Sequence, residues 1–282
     1  MKILVAGDVC PTASTEKFLV NGDLSAAFGD VRSVSTGADA FLINLECALT
    51  AAETAIRKYG PNLKAAPECA QALRGFGVTD AGLANNHIYD YGRKGYFDTL
   101  RALEEAGIRY TGVGMNAQCA RKKHTIALDG KSICLIAVGD REYSYALANR
   151  EGIRVFDPID TIEDVRDARN DSDFIIVTYH GGSEQCQYPS PRVRKLCQAM
   201  VRAGADLCQH SHCIGTMEKY EGKMILYGQG NFYFNLAEEE DNPHWKNGLL
   251  LEIDMDSNMT PAYRFYPVKT TDTGIALCHG EA

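Results

Sequence analysis

The sequence predicts an α/β fold, because apolar strand-like runs alternate with amphipathic helix-like runs and strand-like runs then dominate the tail. A chain of 282 residues can bury a large core, as one big domain or two small ones. Hydrophobic residues make up 45% and charged residues 23%, which is an ordinary globular composition rather than a disordered or fibrous one.

The strand predictions rest on continuous apolar runs, which are typical of strands buried on both faces. They cover residues 2–6, 39–45, 79–83, 109–113 and 173–179, with a shorter run at 205–208. Asp129-Gly130 predicts a hairpin between strands 125–128 and 132–138. The tail adds strands at 223–227, 248–255 and 262–268.

The helix predictions rest on apolar spacing together with proline starts and glycine stops. They cover residues 67–74, 95–106, 159–170 and 191–203, with a short helix within 18–28. Residues 51–65 predict a loop, with basic residues around Gly60-Pro61.

Charge and cysteine content narrow the class of protein. A net charge of −8 argues against a sequence-independent binder of nucleic acid or of anionic membranes. Ten cysteines without a CxxC pair fit reduced thiols better than a disulfide framework. The opening apolar run is too short for a signal peptide or a membrane span, so we expect a cytoplasmic protein.

The most informative stretch is residues 82–92, where a predicted strand passes into a predicted helix. Asn85, Asn86 and His87 fall at this transition, and Asp90 follows in the next turn. Ligands of α/β proteins bind at this edge of the sheet. A polar turn is the alternative, because asparagine is common in turns.

Five apolar runs end on groups that can bind a metal. These groups are Asp8, Glu46, the Asn86-His87 pair, His180, and the His210/His212 pair. Taken singly, each has a structural explanation, such as a helix N-cap, a surface carboxylate or a satisfied histidine. Taken together they predict a metal site, because charged and imidazole groups at strand ends need partners.

The predicted ligands are oxygen and nitrogen atoms, which suit Mn, Fe or Zn better than a cysteine-rich structural zinc site. Asp8 and Glu46 supply a charge of −2, so two divalent cations would leave the site at about +2 and favour an anionic substrate such as a phosphate ester. His87 could protonate the leaving group, and Asp90 could hold its ring in the right tautomer.

These residues resemble the CapA family, the poly-γ-glutamate capsule synthesis proteins within the calcineurin-like metallophosphoesterase superfamily. The resemblance runs over about residues 2–235. The matching segments are Gly7-Asp8, Asn44-Leu45-Glu46, Ala84–His87 with Asp90 and Gly92, His180–Glu184, Gln209–His212 and Gly230-Asn231-Phe232.

The resemblance implies one domain over residues 1–282, a four-layer α/β/β/α sandwich of two mixed sheets flanked by helices. It implies that Asp8 and His212 hold one metal and that Asn86, His180 and His210 hold the second. Glu46 would bridge the two metals, and His87 would be the acid.

The sequence departs from the superfamily pattern near the first metal. The usual Asp-x-His is Asp8-Val9-Cys10, so either Cys10 substitutes as a thiolate or that metal is weakly held. Gln209 replaces the usual glycine before the paired histidines. Capsule-export members often carry a membrane anchor, and no apolar run among these 282 residues is long enough for one.

Three functions therefore stay open: a metal-dependent phosphoesterase, a γ-glutamyl amide hydrolase or transferase, and a polymer-binding or synthetase-partner protein without catalysis. In the second, Arg57, Lys58 and Lys64 would pair substrate carboxylates, the alternative being a solvated basic loop.

Glu184 and Asn231 are further candidate substrate contacts. The loop before Pro191 would line the site through Tyr188 or cap a helix.

Overall fold

Two β-sheets packed face to face form the centre of the protein, and helices cover their outer faces, in a computed structural model that describes residues 1–140, 142–183, 186–209, 212–236, 239, 242 and 244–279. The predicted four-layer α/β/β/α sandwich is therefore confirmed. His210 and Glu184 lie outside the described residues.

The first sheet has eight strands: β1 (Lys2–Cys10), β2 (Ala40–Leu45), β5 (Asp80–Gly82), β6 (Arg109–Thr111), β15 (Asn231–Phe234), β16 (Asn247–Met255), β17 (Pro261–Thr270) and β18 (Ile275–Leu277). Their order is β18-β17-β16-β1-β2-β5-β6, with β15 paired to β1. Strands β1, β2, β5 and β6 are parallel, whereas β16 to β18 are antiparallel.

The second sheet has six strands: β8 (His124–Leu128), β9 (Lys131–Gly139), β11 (Phe174–His180), β12 (Leu207–Gln209), β13 (Met217–Tyr220) and β14 (Lys223–Leu226). Their order is β13-β14-β12-β11-β9-β8, with a parallel centre and antiparallel edges. Two short pairs lie apart, β3 (Ala48–Leu49) with β4 (Lys64–Ala65), and β7 (Val113–Gly114) with β10 (Gly152–Ile153).

The helices are α1 (Ala13–Val20), α2 (Leu24–Phe28), α3 (Arg32–Ser35), α4 (Cys69–Phe76), α5 (Gly92–Ala106), α6 (Ala117–Ala120), α7 (Pro158–Arg169) and α8 (Pro191–Ala203). Short 3₁₀ turns occupy Gly29–Val31 and Glu142–Ser144. Helices α1, α2, α4 and α5 contribute side chains to the core on the outer face of the first sheet, and α7 and α8 to that of the second. Within the described residues, no helix is long and apolar enough to cross a membrane.

The continuous apolar runs arise because both faces of the central strands are buried. In β1, Ile3 and Val5 pack between the two sheets, whereas Leu4 and Ala6 face the helices. Strand β11 alternates in the same way, with Phe174 and Ile176 on the inner face and Ile175 and Val177 on the outer face.

Most predicted elements are observed, and the predicted hairpin at Asp129-Gly130 joins β8 to β9. The strand expected at 109–113 is instead two short strands, β6 and β7, which pair in different sheets on either side of Gly112, whose φ is 83°. Strands β13 and β15 were not predicted. The short helix expected within 18–28 is confirmed over Leu24–Phe28, as α2. Residues 18–20 belong instead to a separate helix, α1, which ends before Gly22 with its φ of 70°. The loop expected at 51–65 also ends in strand β4, which pairs with β3.

Gly7 allows two backbones to meet beside Asp8. A Cβ atom at Gly7 would lie 1.9 Å from the Gly230 carbonyl oxygen, so any side chain would push the two segments apart. The backbone amide of Asp8 donates to that same carbonyl at 3.2 Å. The Gly-Asp pair thus fixes where the Asp8 side chain emerges from the sheet.

Candidate metal centre

The predicted ligands that lie within the described residues meet where the carboxyl ends of the parallel strands of both sheets come together. Asp8 lies near the end of β1, and Glu46 follows β2 directly. His180 is the last residue of β11, and His212 follows β12. The two sheets thus supply ligands from opposite sides of one cleft.

Glu46 is at the centre of this cleft and is fully buried. Its Oε1 atom lies 3.2 Å from Nε2 of His180 and 3.3 Å from Nε2 of His212. The Nε2 atom of His87 is 4.0 Å from the same oxygen. One carboxylate from the first sheet therefore faces three imidazoles, of which two come from the second sheet.

The charges of these groups are coupled. Burial opposes ionisation of Glu46, but His212 and His180 outweigh it and hold the pKa of this carboxyl well below its ordinary value. Burial likewise opposes a charge on His212, but Glu46 and Asp8 raise the pKa of this imidazole well above its ordinary value. Both shifts describe a carboxylate paired with a cation deep in the protein.

His212 is held on all sides. Its Nδ1 atom lies 3.0 Å from Oδ2 of Asp8 and 3.1 Å from Oδ1 of Asn231. Trp245 stacks on its ring with centroids 5.1 Å apart, and Phe234 packs edge-on at 5.8 Å. These contacts leave Nε2 directed at Glu46 and fix the orientation of the ring.

Asparagines fix the other ligands. Asn44 donates to Oδ1 of Asp8 at 2.5 Å, and its amide nitrogen lies 3.2 Å from Nδ1 of His180. The Oδ1 atom of Asn86 lies 2.8 Å from Nε2 of His180. Asn85 donates to the Leu45 carbonyl at 2.7 Å and accepts from the backbone amides of His87 and Ile88, so it ties that turn to β2.

The donor set fits a divalent cation. Oδ2 of Asp8 and both carboxylate oxygens of Glu46 are buried without an aligned hydrogen bond from the described residues. Single ligand atoms of Glu46, His180 and His212 lie within 4.8 Å of one another, which suits a shared ion. Buried carboxylate oxygens without hydrogen bonds normally coordinate a metal or pair with a cation.

His87 is backed by a buried ion pair. Its Nδ1 atom lies 2.7 Å from Oδ2 of Asp90 and 3.1 Å from Nζ of Lys58, and Lys58 forms a short contact with the other Asp90 oxygen. The Asp90 side chain is fully buried and that of Lys58 is 3% exposed. Asp90 also accepts from the Leu63 amide at 2.7 Å, so the 51–63 segment is anchored to the site.

The three predicted basic residues do not form a cluster. Lys58 was expected to pair with a substrate carboxylate, but its ammonium group already pairs with the carboxylate of Asp90. Lys64 donates to the Ala52 carbonyl at 2.7 Å and packs over the Tyr91 ring. Arg57 is exposed on the loop between β3 and β4.

Cys10 lies in the core rather than among the converging ligand atoms. It is fully buried, and burial together with Cys47 raises the pKa of its thiol well above the ordinary value. Those surroundings favour a neutral thiol over the thiolate considered from the sequence. Tyr188 is 71% exposed, and the segment after it caps α8 through Ser190, which is the second of the two expected roles.

A cavity of about 570 Å³ lies beside the candidate metal centre, and Asn86, His87 and His212 line it. Its walls combine site residues with aromatic and acidic ones: Lys58, Tyr59, Gly60, Pro61, Leu63, Asn86, His87, Asp140, Tyr143, Tyr145, His212, Phe234, Leu236, Glu239 and Trp245.

The aromatic members of this wall and Asp140 are absent from the predicted site. They come from loops and from the tail, with no spacing that links them to the ligands. Asn44 could have been predicted as a site residue from its spacing. It lies two residues before Glu46, and side chains two apart in an extended segment point to the same side.

The four-layer fold, with polar groups of both sheets converging at the strand ends, is that of the calcineurin-like phosphoesterases. The chain belongs to the bacterial capsule synthesis protein PGA_cap family, whose sequence model matches residues 2–236.

Two curated relatives carry the CapA name. The capsule biosynthesis protein CapA of Bacillus anthracis is 32% identical over 182 residues, which cover 62% of this chain and 44% of that protein. The PGA biosynthesis protein CapA of Bacillus subtilis is 28% identical over 212 residues, covering 73% and 55%. The chain thus spans about half the length of the curated relatives it matches.

A solved structure shares the fold. It is that of a Staphylococcus aureus protein named for 5'-nucleotidase activity and crystallised with α-ketoglutarate. It matches with a TM-score of 0.55 at 12% identity, over 100% of this chain and 55% of that one.

Replacing Lys58 by Met should destabilise the protein by about 3 kcal/mol, because it leaves the buried Asp90 carboxylate without its cation. Urea unfolding of the variant measures the loss. Asp90→Asn in the same chain should restore part of the stability. Lys94→Met is the matched control: it breaks an exposed pair with Asp98 and should cost under about 1 kcal/mol. A Lys58→Met variant as stable as this control would contradict the buried pair.

The stability of the metal-free protein should fall as pH rises above about 6.5, where the unfolded His212 loses its proton but the folded one keeps it. The slope should not exceed about 1.4 kcal/mol per pH unit for this one group. Glu46 has the opposite dependence, since its contribution is lost only as pH falls through its lowered pKa. Urea unfolding between pH 6.5 and 8 with a chelator present measures the slope, which His212→Gln should flatten. An equal slope in both proteins would refute the coupling.

Proposed function

We propose that this protein is a metal-dependent phosphoesterase that acts on a small anionic substrate. The observation that supports it most is the buried Glu46 carboxylate, which receives no aligned hydrogen bond from the described residues and faces two imidazole Nε2 atoms from the other sheet. A carboxylate so placed suits a bridge between cations better than a structural role.

The proposed ligands of one cation are Asp8 and His212, and those of a second are Asn86, His180 and His210, with Glu46 shared. The geometry of all but His210 supports this division, because Asn86 lies against His180 and Asp8 lies against His212. Two divalent cations against two carboxylates leave the centre at about +2, which favours a phosphoryl group. The oxygen and nitrogen donors suit Mn, Fe or Zn.

The bound cations would polarise the phosphoryl oxygens and lower the pKa of a bound water. His87 would donate the proton that the leaving oxygen needs. It lines the cavity, and its Nδ1 atom is engaged by Asp90, so Nε2 is the nitrogen left to face a substrate. Lys58 would hold the Asp90 side chain in place beside that ring.

Family membership supports a link to poly-γ-glutamate or capsule metabolism, and the sharing of one site by both sheets supports a single domain. A γ-glutamyl amide hydrolase gains no support from the three basic residues. Arg57 and Lys64 are not among the described residues that line the cavity, and the ammonium group of Lys58, which does line it, already pairs with Asp90. A binding protein without catalysis would not need His87 backed by a buried ion pair.

Metal binding can be followed through Trp245, the one tryptophan of the chain, which stacks on His212. Titration of Mn²⁺ or Zn²⁺ into the chelator-treated protein should change its fluorescence and saturate at two ions per chain by mass spectrometry. His180→Ala should weaken binding by tenfold or more, whereas His124→Ala, outside the site, should not. Failure of the wild type to bind any of Mn²⁺, Fe²⁺ or Zn²⁺ would refute the proposal.

The metal-loaded protein should hydrolyse phosphate esters, and His87→Ala should lower kcat by about 10²- to 10⁴-fold, because the leaving group loses its acid. The same variant should bind metal as the wild type does, since His87 is not a proposed ligand. Release of phosphate from a panel of mono- and diesters measures the rates. A fully loaded wild type that cleaves none of them would leave the binding-protein alternative.

A further inference from the structure

The mouth of the cavity is aromatic, and its rings are exposed. Tyr59 is 94% exposed and Tyr143 is 42% exposed, although both line the cavity. The backbone amide of Tyr59 lies 3.5 Å from the Tyr143 hydroxyl, so the two loops meet at the mouth. Large exposed rings beside a cavity are typical of a binding surface, because stacking on a ligand would cover them.

The charges of the wall are unsuited to a polyanion. Among the described lining residues, Lys58 is the one ammonium or guanidinium group, and its side chain is buried against Asp90. Asp140 and Glu239 place carboxyl groups in the same wall. A chain of carboxylates such as polyglutamate would therefore meet negative charge away from the proposed metals.

The cavity has two chemically distinct ends. His87, Asn86 and His212 line the end at the proposed cations, which suits a phosphoryl group. A volume of about 570 Å³ leaves room beyond it for a group of one or two rings.

We infer that Tyr59 and Tyr143 form a subsite for a flat, uncharged ring on the leaving group, so that the substrate is a phosphate monoester of a ring-bearing alcohol. This inference rests on the proposed phosphoesterase function. In the reaction, the oxygen of a water molecule bonds to phosphorus as the P–O bond to the alcohol breaks, and the water releases one proton to solvent, from which His87 is later reprotonated. The departing oxygen takes a proton from His87, which leaves the free alcohol and inorganic phosphate.

The test compares three esters whose leaving groups are all primary alcohols: benzyl, cyclohexylmethyl and 4-carboxybenzyl phosphate. The first two differ in flatness at similar size, and the third adds a negative charge to the ring. We expect kcat/KM of the metal-loaded wild type to be about fivefold to tenfold higher for benzyl phosphate than for either of the others.

Variants locate the subsite. Tyr59→Ala combined with Tyr143→Ala should abolish the preference for benzyl over cyclohexylmethyl phosphate, mainly through KM. Asp140→Asn should narrow the gap between benzyl and 4-carboxybenzyl phosphate. Tyr188→Ala is the control, because that tyrosine is also exposed, at 71%, but is not among the described residues that line the cavity.

The ring subsite and the phosphoesterase activity can be refuted independently of each other. If the wild type cleaves benzyl and cyclohexylmethyl phosphate equally well, or the double variant keeps the preference, the ring subsite is refuted and the phosphoesterase stands. If no ester is cleaved, calorimetry with benzylphosphonate and cyclohexylmethylphosphonate decides the subsite without turnover. Equal affinity of these two phosphonates for the metal-loaded protein would refute it.

Discussion

Burial of the Glu46 carboxylate between two sheets is the constraint on which the rest of the site depends. A lone carboxylate at full burial would be costly, so the surroundings must supply positive charge. His180 and His212 supply it from the second sheet, and they do so across the interface that holds the sandwich together. The polar centre and the apolar core therefore share the same two sheets.

A second layer of side chains holds this centre in shape. Asn44 links Asp8 to His180. Asn231 contacts Nδ1 of His212, and Trp245 stacks on the ring of the same histidine. Asn85 ties the turn of His87 to β2. These amide and indole groups fix the ligands of this centre without adding charge of their own.

The ion pair of Lys58 and Asp90 joins the long 51–63 segment to the same centre. That segment has no helix and only the short β3–β4 pairing at its two ends, yet its lysine is buried beneath His87 and its tyrosine stands at the cavity mouth. One loop thus supports the proposed proton donor and forms part of the wall that a leaving group would meet.

The sequence by itself determined the α/β fold, its main strands and helices, and the ends of strands at which Asp8, Glu46, Asn86, His87, His180 and His212 lie. It could do so because strand burial and strand polarity are local properties, and parallel strands bring their carboxyl ends to one edge. Only the tertiary structure decided that Lys58 is buried with Asp90, that Cys10 belongs to the core, and that Trp245 stacks on His212. These contacts join segments far apart in the chain, and no residue pattern encodes which loop folds over which strand end.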